Sequence, residues 1–100
     1  MTERLTRDEI VRRLAAKRAD LDRLQVKSLR LFGSFARDTA TDGSDVDLIV
    51  EFVDAATFKN FMSTVVLLED VLGRRVDLAT EKALRRELRE RILSEAVRVA

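Results

Sequence analysis

Two aspartates separated by one residue stand in Ser44-Asp45-Val46-Asp47-Leu48, and a third stands in Arg75-Val76-Asp77-Leu78. On an extended strand, residues i and i+2 share a face about 6–7 Å apart, since the rise is about 3.3 Å per residue. A divalent cation fits between two such carboxylates. Mg²⁺ prefers oxygen ligands, keeps several waters and is held by one or two carboxylates together with substrate phosphates. Three aspartates can serve two ions, which together stabilise the attacking and leaving oxygens of an in-line phosphoryl displacement. Upstream, Gly33 lets the backbone approach an anion, and Ser34 offers a hydroxyl and an N–H where a short helix would start. Arg37 follows one turn later, where its guanidinium could contact phosphate or pair with one of the aspartates, and the residues alone leave both roles open. Histidine and cysteine are absent, which removes thiolate and imidazole catalysis, disulfides and the usual zinc centres.

The elements that must position these groups follow from periodicity. Thr6-Arg7-Asp8-Glu9 has the form of a capping box, and Ile10, Val11, Leu14 and Ala15 follow at helical spacing, which predicts a helix from about Arg7 to Arg18. Val26 to Phe32 alternates with Leu29 and Leu31 on one side and Ser28 and Arg30 on the other, the pattern of a strand that turns at Gly33. Gly33 to Arg37 is expected to turn into a short helix, and Asp42-Gly43-Ser44 is a turn signal. Asp45 to Val53 reads as a strand: Val46, Leu48, Val50 and Phe52 face one way, and Asp45, Asp47, Ile49 and Glu51 the other. Phe58, Phe61, Met62, Val65, Leu68 and Leu72 recur at three and four residues before Gly73, a helix with a C-terminal glycine cap. Arg74 to Thr80 gives a third strand, with Val76 and Leu78 opposite Asp77, and Leu84, Leu88, Ile92 and Ala96 mark a last amphipathic helix. The order is α-β-α-β-α-β-α. A crossover from Asp45 to Thr80 makes the second and third strands parallel, which brings Asp77 to the face of Asp45 and Asp47.

The 100 residues amount to one small domain, and 46% hydrophobic with 37% charged residues describes a chain that folds. A domain of this size buries a modest share of its surface, so a homo- or hetero-oligomer is expected. Net charge is +1, but residues 1–30 hold nine basic and five acidic groups, and residues 31–60 two basic and six acidic ones. Such a balance argues against direct DNA readout by phosphate neutralisation. Met1 to Ile10 is charged, and no run approaches the length of a membrane span, so the expected location is cytoplasmic, without membrane contact.

Leu31-Phe32-Gly33-Ser34-Phe35-Ala36-Arg37 followed by Ser44-Asp45-Val46-Asp47-Leu48 resembles the G-S-x10-D-x-D signature of the DNA polymerase β nucleotidyltransferase superfamily. Over nearly its whole length the chain is similar to minimal nucleotidyltransferase domains, the small antitoxin partners of HEPN-domain ribonuclease toxins. The resemblance implies one minimal nucleotidyltransferase domain over residues 1–100, an α/β (α+β) fold with a small mixed twisted sheet flanked by helices. It implies that Asp45, Asp47 and Asp77 hold Mg²⁺, as two ions, and are catalytic, and that Gly33, Ser34, Arg37 and Ser44 surround the nucleotide. The activity so implied is transfer of AMP from ATP to a hydroxyl, a tyrosine of the toxin, with release of pyrophosphate. Asp38 stands where many relatives have glycine, and aspartate tolerates left-handed backbone better than most residues.

Each signal also has a plainer reading. The row Phe58, Phe61, Met62, Val65 and Leu68 reads as core rather than a nucleobase pocket. Arg85, Arg86, Arg89 and Arg91, interleaved with Glu87 and Glu90, read as a solvated face, and Lys59, Arg74 and Arg75 as surface charges. Phenylalanine supplies all five aromatic residues, too few for stacking on single-stranded nucleic acid. The rival to an enzyme is a catalytically silent module that neutralises the toxin by covering it.

Overall fold

The computed structural model describes residues 5–100. Helix α1 (Arg7–Ala15) starts at the anticipated cap, where the Thr6 hydroxyl accepts the Glu9 N–H at 3.2 Å, and it buries Ile10 and Leu14. It ends three residues earlier than its periodicity predicts. The chain bends at Ala16 and Lys17 into α2 (Arg18–Arg23), which buries Leu21 in the same core. Gln25, left-handed at φ 64°, then redirects the backbone into strand β1 (Val26–Phe32).

Strand β2 (Val46–Phe52) pairs antiparallel with β1, placing Leu29 opposite Val50 and Leu31 opposite Leu48. These four side chains are buried under the helices with Leu14, Leu21, Leu68 and Leu72. Helix α3 (Phe58–Leu72) begins at the Thr57 hydroxyl, which accepts the Asn60 N–H, and stops at Gly73, left-handed at φ 66° as the sequence anticipates. Strand β3 (Val76–Thr80) returns parallel to β2, two residues shorter at its start than expected. A 3-10 turn (Glu81–Ala83) and α4 (Arg86–Glu95) follow, and β4 (Val97–Arg98) closes the far edge against β1.

The result is a mixed sheet of order β3-β2-β1-β4 flanked by helices, the expected architecture with a short fourth strand added, the first helix divided and a turn in place of the short helix after Gly33. The α3 row needs correction. Phe61 and Val65 are partly buried and Leu68 fully, but Phe58 is 81% and Met62 40% exposed, with Val66 at 63% beside them. Thr64 takes the core position instead, its hydroxyl donating to the Asn60 carbonyl at 2.7 Å. Arg13 ties α1 to α3 by donating to the Val71 and Leu72 carbonyls at the helix end, where a cation also complements the dipole.

Candidate active site

The pleat that buries Val46 and Leu48 turns Asp45 and Asp47 to the opposite face of the sheet. Parallel pairing of β2 and β3 then sets Asp77 directly opposite Asp47. Phe32, at the end of β1, is the partner of Asp47 on its other side, and Gly33 comes next in the chain. Three elements therefore deliver Asp45, Asp47, Asp77 and the Gly33 turn to one end of the sheet. The same face carries Ile49 farther along, buried where the 3-10 turn packs on β2.

Gly33 is glycine for two structural reasons. Its φ is 73°, and a Cβ placed there would overlap the Asp47 carboxylate, with Cγ at 3.1 Å and the Asp47 Cβ at 3.3 Å. Residues 33–38 form a turn rather than the expected short helix. The Arg37 N–H donates to the Gly33 carbonyl at 3.1 Å, Thr39 N–H closes on the Ser34 carbonyl at 2.9 Å, and Asp38 is left-handed at φ 59°. The glycine-to-aspartate departure is thus accommodated in the conformation that a glycine would favour. Among the described residues, the N–H groups of Ser34, Phe35 and Ala36 donate to no protein acceptor, and such successive amides favour an anion.

Arg37 does not pair with an aspartate in a buried site. It is half exposed and reaches Glu95 of α4 at 3.4 Å, yet its charge still lies near enough to ease the ionisation of Asp47. Ser44 shapes the turn ahead of Asp45: its hydroxyl accepts the Thr41 N–H at 2.9 Å, and its own N–H donates to the Thr41 carbonyl at 3.0 Å. Sequence reasoning missed Arg74. Read there as a surface charge, it donates to the carbonyls of that same turn. The signal that could have found it is the β2/β3 register, which sets the residues before β3 beside those before β2.

Electrostatics single out Asp47. Partial burial, then the like charges of Asp77 and Asp45, push its carboxyl up from 3.8 to about 6, against a smaller opposing pull from Arg37. Asp45 has some relief from Arg75 at 4.0 Å, a solvent-exposed pair of little strength. Among the described residues, no group of three acidic side chains is gathered tightly enough to hold a metal alone. An all-oxygen set of like charges nevertheless suits a hard divalent cation that takes its remaining ligands from water and phosphate.

The profile of the nucleotidyltransferase domain family matches residues 11–99. The chain belongs to the nucleotidyltransferase domain family. It is 35% identical over 96 residues to the protein adenylyltransferase MntA of Thermococcus cleftensis, covering 95% of this chain and 97% of that one. A Methanocaldococcus jannaschii relative, MJ1379, is 42% identical over 65 residues, 63% of this chain and 65% of its own. Among solved structures, a minimal nucleotidyltransferase superposes with a TM-score of 0.80 at 33% identity, covering 96% and 98% of the two chains. The nucleotidyltransferase fold also recurs, at a TM-score of 0.66 and 16% identity, in the complex of a tri-AMPylated Shewanella oneidensis HEPN toxin with its MNT antitoxin, over 95% of this chain and 72% of that one. Members of the family thus share the sheet that carries the three aspartates here.

Proposed function

We propose that this nucleotidyltransferase is a protein adenylyltransferase and antitoxin, which moves AMP from ATP to a tyrosine hydroxyl of a HEPN-type ribonuclease toxin. The observation that carries the reading is the pairing of Asp47 with Asp77 across parallel strands, with Asp45 two residues away and Gly33 against the Asp47 carboxylate. The protein adenylyltransferase MntA relative and the likeness to the MNT antitoxin of an AMPylated HEPN toxin support a protein acceptor and a HEPN partner. Magnesium, bound by Asp45, Asp47 and Asp77 as two ions, would supply charge neutralisation at the phosphates.

The chain's own residues supply the rest. Ser34 and the free amides behind it cradle the triphosphate, with Arg37 beyond them in the same turn and Ser44 in the turn ahead of Asp45. Asp77, exposed at the start of β3, receives the proton of the acceptor hydroxyl as that oxygen attacks the α-phosphorus. The new bond is oxygen to α-phosphorus, the bond broken is that to pyrophosphate, and both changes occur in line. Absence of cysteine suits a reducing cytoplasm, where we place the reaction.

The test is intact-mass spectrometry of the co-expressed partner after incubation with this protein, Mg²⁺ and each of the four NTPs. An AMP-sized increment with ATP, lost in the Asp45→Asn/Asp47→Asn double variant, is the expected result. The exposed strip of Phe58, Met62 and Val66 favours a second reading, a silent module that neutralises by complex formation. Under that reading the double variant protects against the toxin at equal dose and no increment forms.

A further inference from the structure

We infer that Arg74 is a positioning residue, a single guanidinium that locks the turn ahead of Asp45 to the loop that carries Ser34. The inference deepens the nucleotidyl-transfer reading and rests on it. Arg74 lies between the Gly73 cap and β3, and its Nη1 stands 2.8 Å from the Asp42 carbonyl, 3.3 Å from that of Thr41 and 3.4 Å from that of Ser44. Three carbonyl oxygens of one turn thus face one cation. The guanidinium carbon also lies 5.3 Å from the centre of the Phe35 ring, and buried Phe35 directly follows Ser34.

Thr41, Asp42 and Gly43 are exposed, so the turn itself places no apolar side chain in the core, and only its flanks, Ala40 before it and Val46 after it, pack there. Its internal bonds, Thr41 to Ser44, hold its shape but do not attach it to the sheet. Between those flanks, polar attachment comes from Arg74 on one side and from the Val46 N–H, bonded to the Arg75 carbonyl at 2.9 Å, on the other. A residue that fixes the direction from which Asp45 approaches, while stacked on the neighbour of Ser34, sets the distance between the carboxylates and the phosphate cradle. Misplacement by about 1 Å is enough to lower a rate about a hundredfold. Lysine can restore the charge to the carbonyls but not the flat face against Phe35.

Amide exchange of Ser44, whose N–H closes the turn, is followed by NMR in metal-free protein for wild type, Arg74→Lys and Arg74→Met, alongside kcat and KM for ATP in the transfer assay. Expected in Arg74→Met is Ser44 exchange about tenfold faster or more, the effect of losing charge-assisted hydrogen bonds. The kcat falls by a similar factor or more while β1 amides keep their protection, and Arg74→Lys recovers part of both losses. Unchanged Ser44 exchange in Arg74→Met overturns the clamp. Faster exchange with wild-type kcat overturns its positioning role. If wild-type protein transfers nothing while Ser44 exchange responds as expected, the functional reading fails and the clamp stands. If Arg74→Met does not fold, Arg74→Lys with Arg74→Gln decides by the same two readouts.

Discussion

Replacing Asp47 with asparagine should strengthen the metal-free fold while it abolishes transfer. Asp47 is partly out of solvent and, as a smaller effect, faces the like charges of Asp77 across the strand pair and Asp45 two residues earlier, which together push its carboxyl from 3.8 to about 6. A shift of about two units corresponds to about 3 kcal/mol at about 1.4 kcal/mol per unit. Solvent screening of a partly open group reduces this to about 1–2 kcal/mol. A carboxyl with a raised native pKa binds its proton more tightly folded than unfolded, so stability falls as pH rises from about 4 to about 6 and stays low above that. Asparagine keeps the shape without the charge. Thermal unfolding in EDTA at about pH 7.5 should therefore place Asp47→Asn on the order of 5–10 °C above wild type, at about 4–8 °C per kcal/mol for a domain of this size. The gap should shrink to about half near pH 5 and nearly close at pH 4. Adding Mg²⁺ should raise the wild type and leave the variant where it was, because only the native carboxylates gain a ligand. An Asp47→Asn protein no more stable than wild type in EDTA, or a gap that ignores pH, would refute this account of a half-buried, repelled carboxylate.

Four further perturbations separate local causes. Gly33→Ala sets a side chain into both a left-handed conformation and the Asp47 carboxylate, so it should lose about 1–3 kcal/mol in urea unfolding and about a hundredfold or more in transfer. Gly73→Ala shares the left-handed φ but meets nothing within 4 Å, and should cost only about 1 kcal/mol with activity intact. Thr6→Ala removes the acceptor for the Glu9 N–H and should lower stability by about 1 kcal/mol by the same measurement. Phe58→Ser, at a position the sequence assigns to the core, should change stability by less than about 0.5 kcal/mol because the ring is already in solvent.

What the sequence disclosed is what depends on near neighbours. Alternation in Val26–Phe32 and around Asp45 names both central strands, since a period of two leaves little choice of which residues share a face. Parallel pairing after a helical crossover was enough to foresee Asp77 beside Asp47. What it hid depends on distant partners. Helix α3 is apolar over much of its circumference, so periodicity foresees Leu68 and Leu72 but not that Thr64, rather than Phe58 and Met62, meets the core. The bend at Ala16 exists because Leu21 must reach a core that Leu14 already enters from another direction, a demand no local pattern carries. Val97 and Arg98 form a strand only because β1 offers an open edge, which the Val99 N–H and Ala100 carbonyl also use through Leu29. Arg74 was hidden for the same reason: its partners lie 30–33 residues away.

The like charges stay together because the opposite face of the same two strands will not let them part. Sliding β3 by two residues would move Asp77 off Asp47 and ease the repulsion. It would also separate Leu48 from Leu78 and Val46 from Val76, the pairs in register on the core face. Leu48 and Val46 are fully buried and Leu78 nearly so. Each such side chain contributes about 1.5–3 kcal/mol by leaving water. Summed over these pairs, that exceeds the about 1–2 kcal/mol that partial burial and like charge together cost Asp47 after screening. Packing therefore wins, and the carboxylates are held in a geometry that, at neutral pH, a bound cation would relieve. The excess repulsion becomes affinity for whatever positive charge arrives, so substitutions that loosen the Leu48 and Leu78 pair should weaken Mg²⁺ binding without touching any ligand.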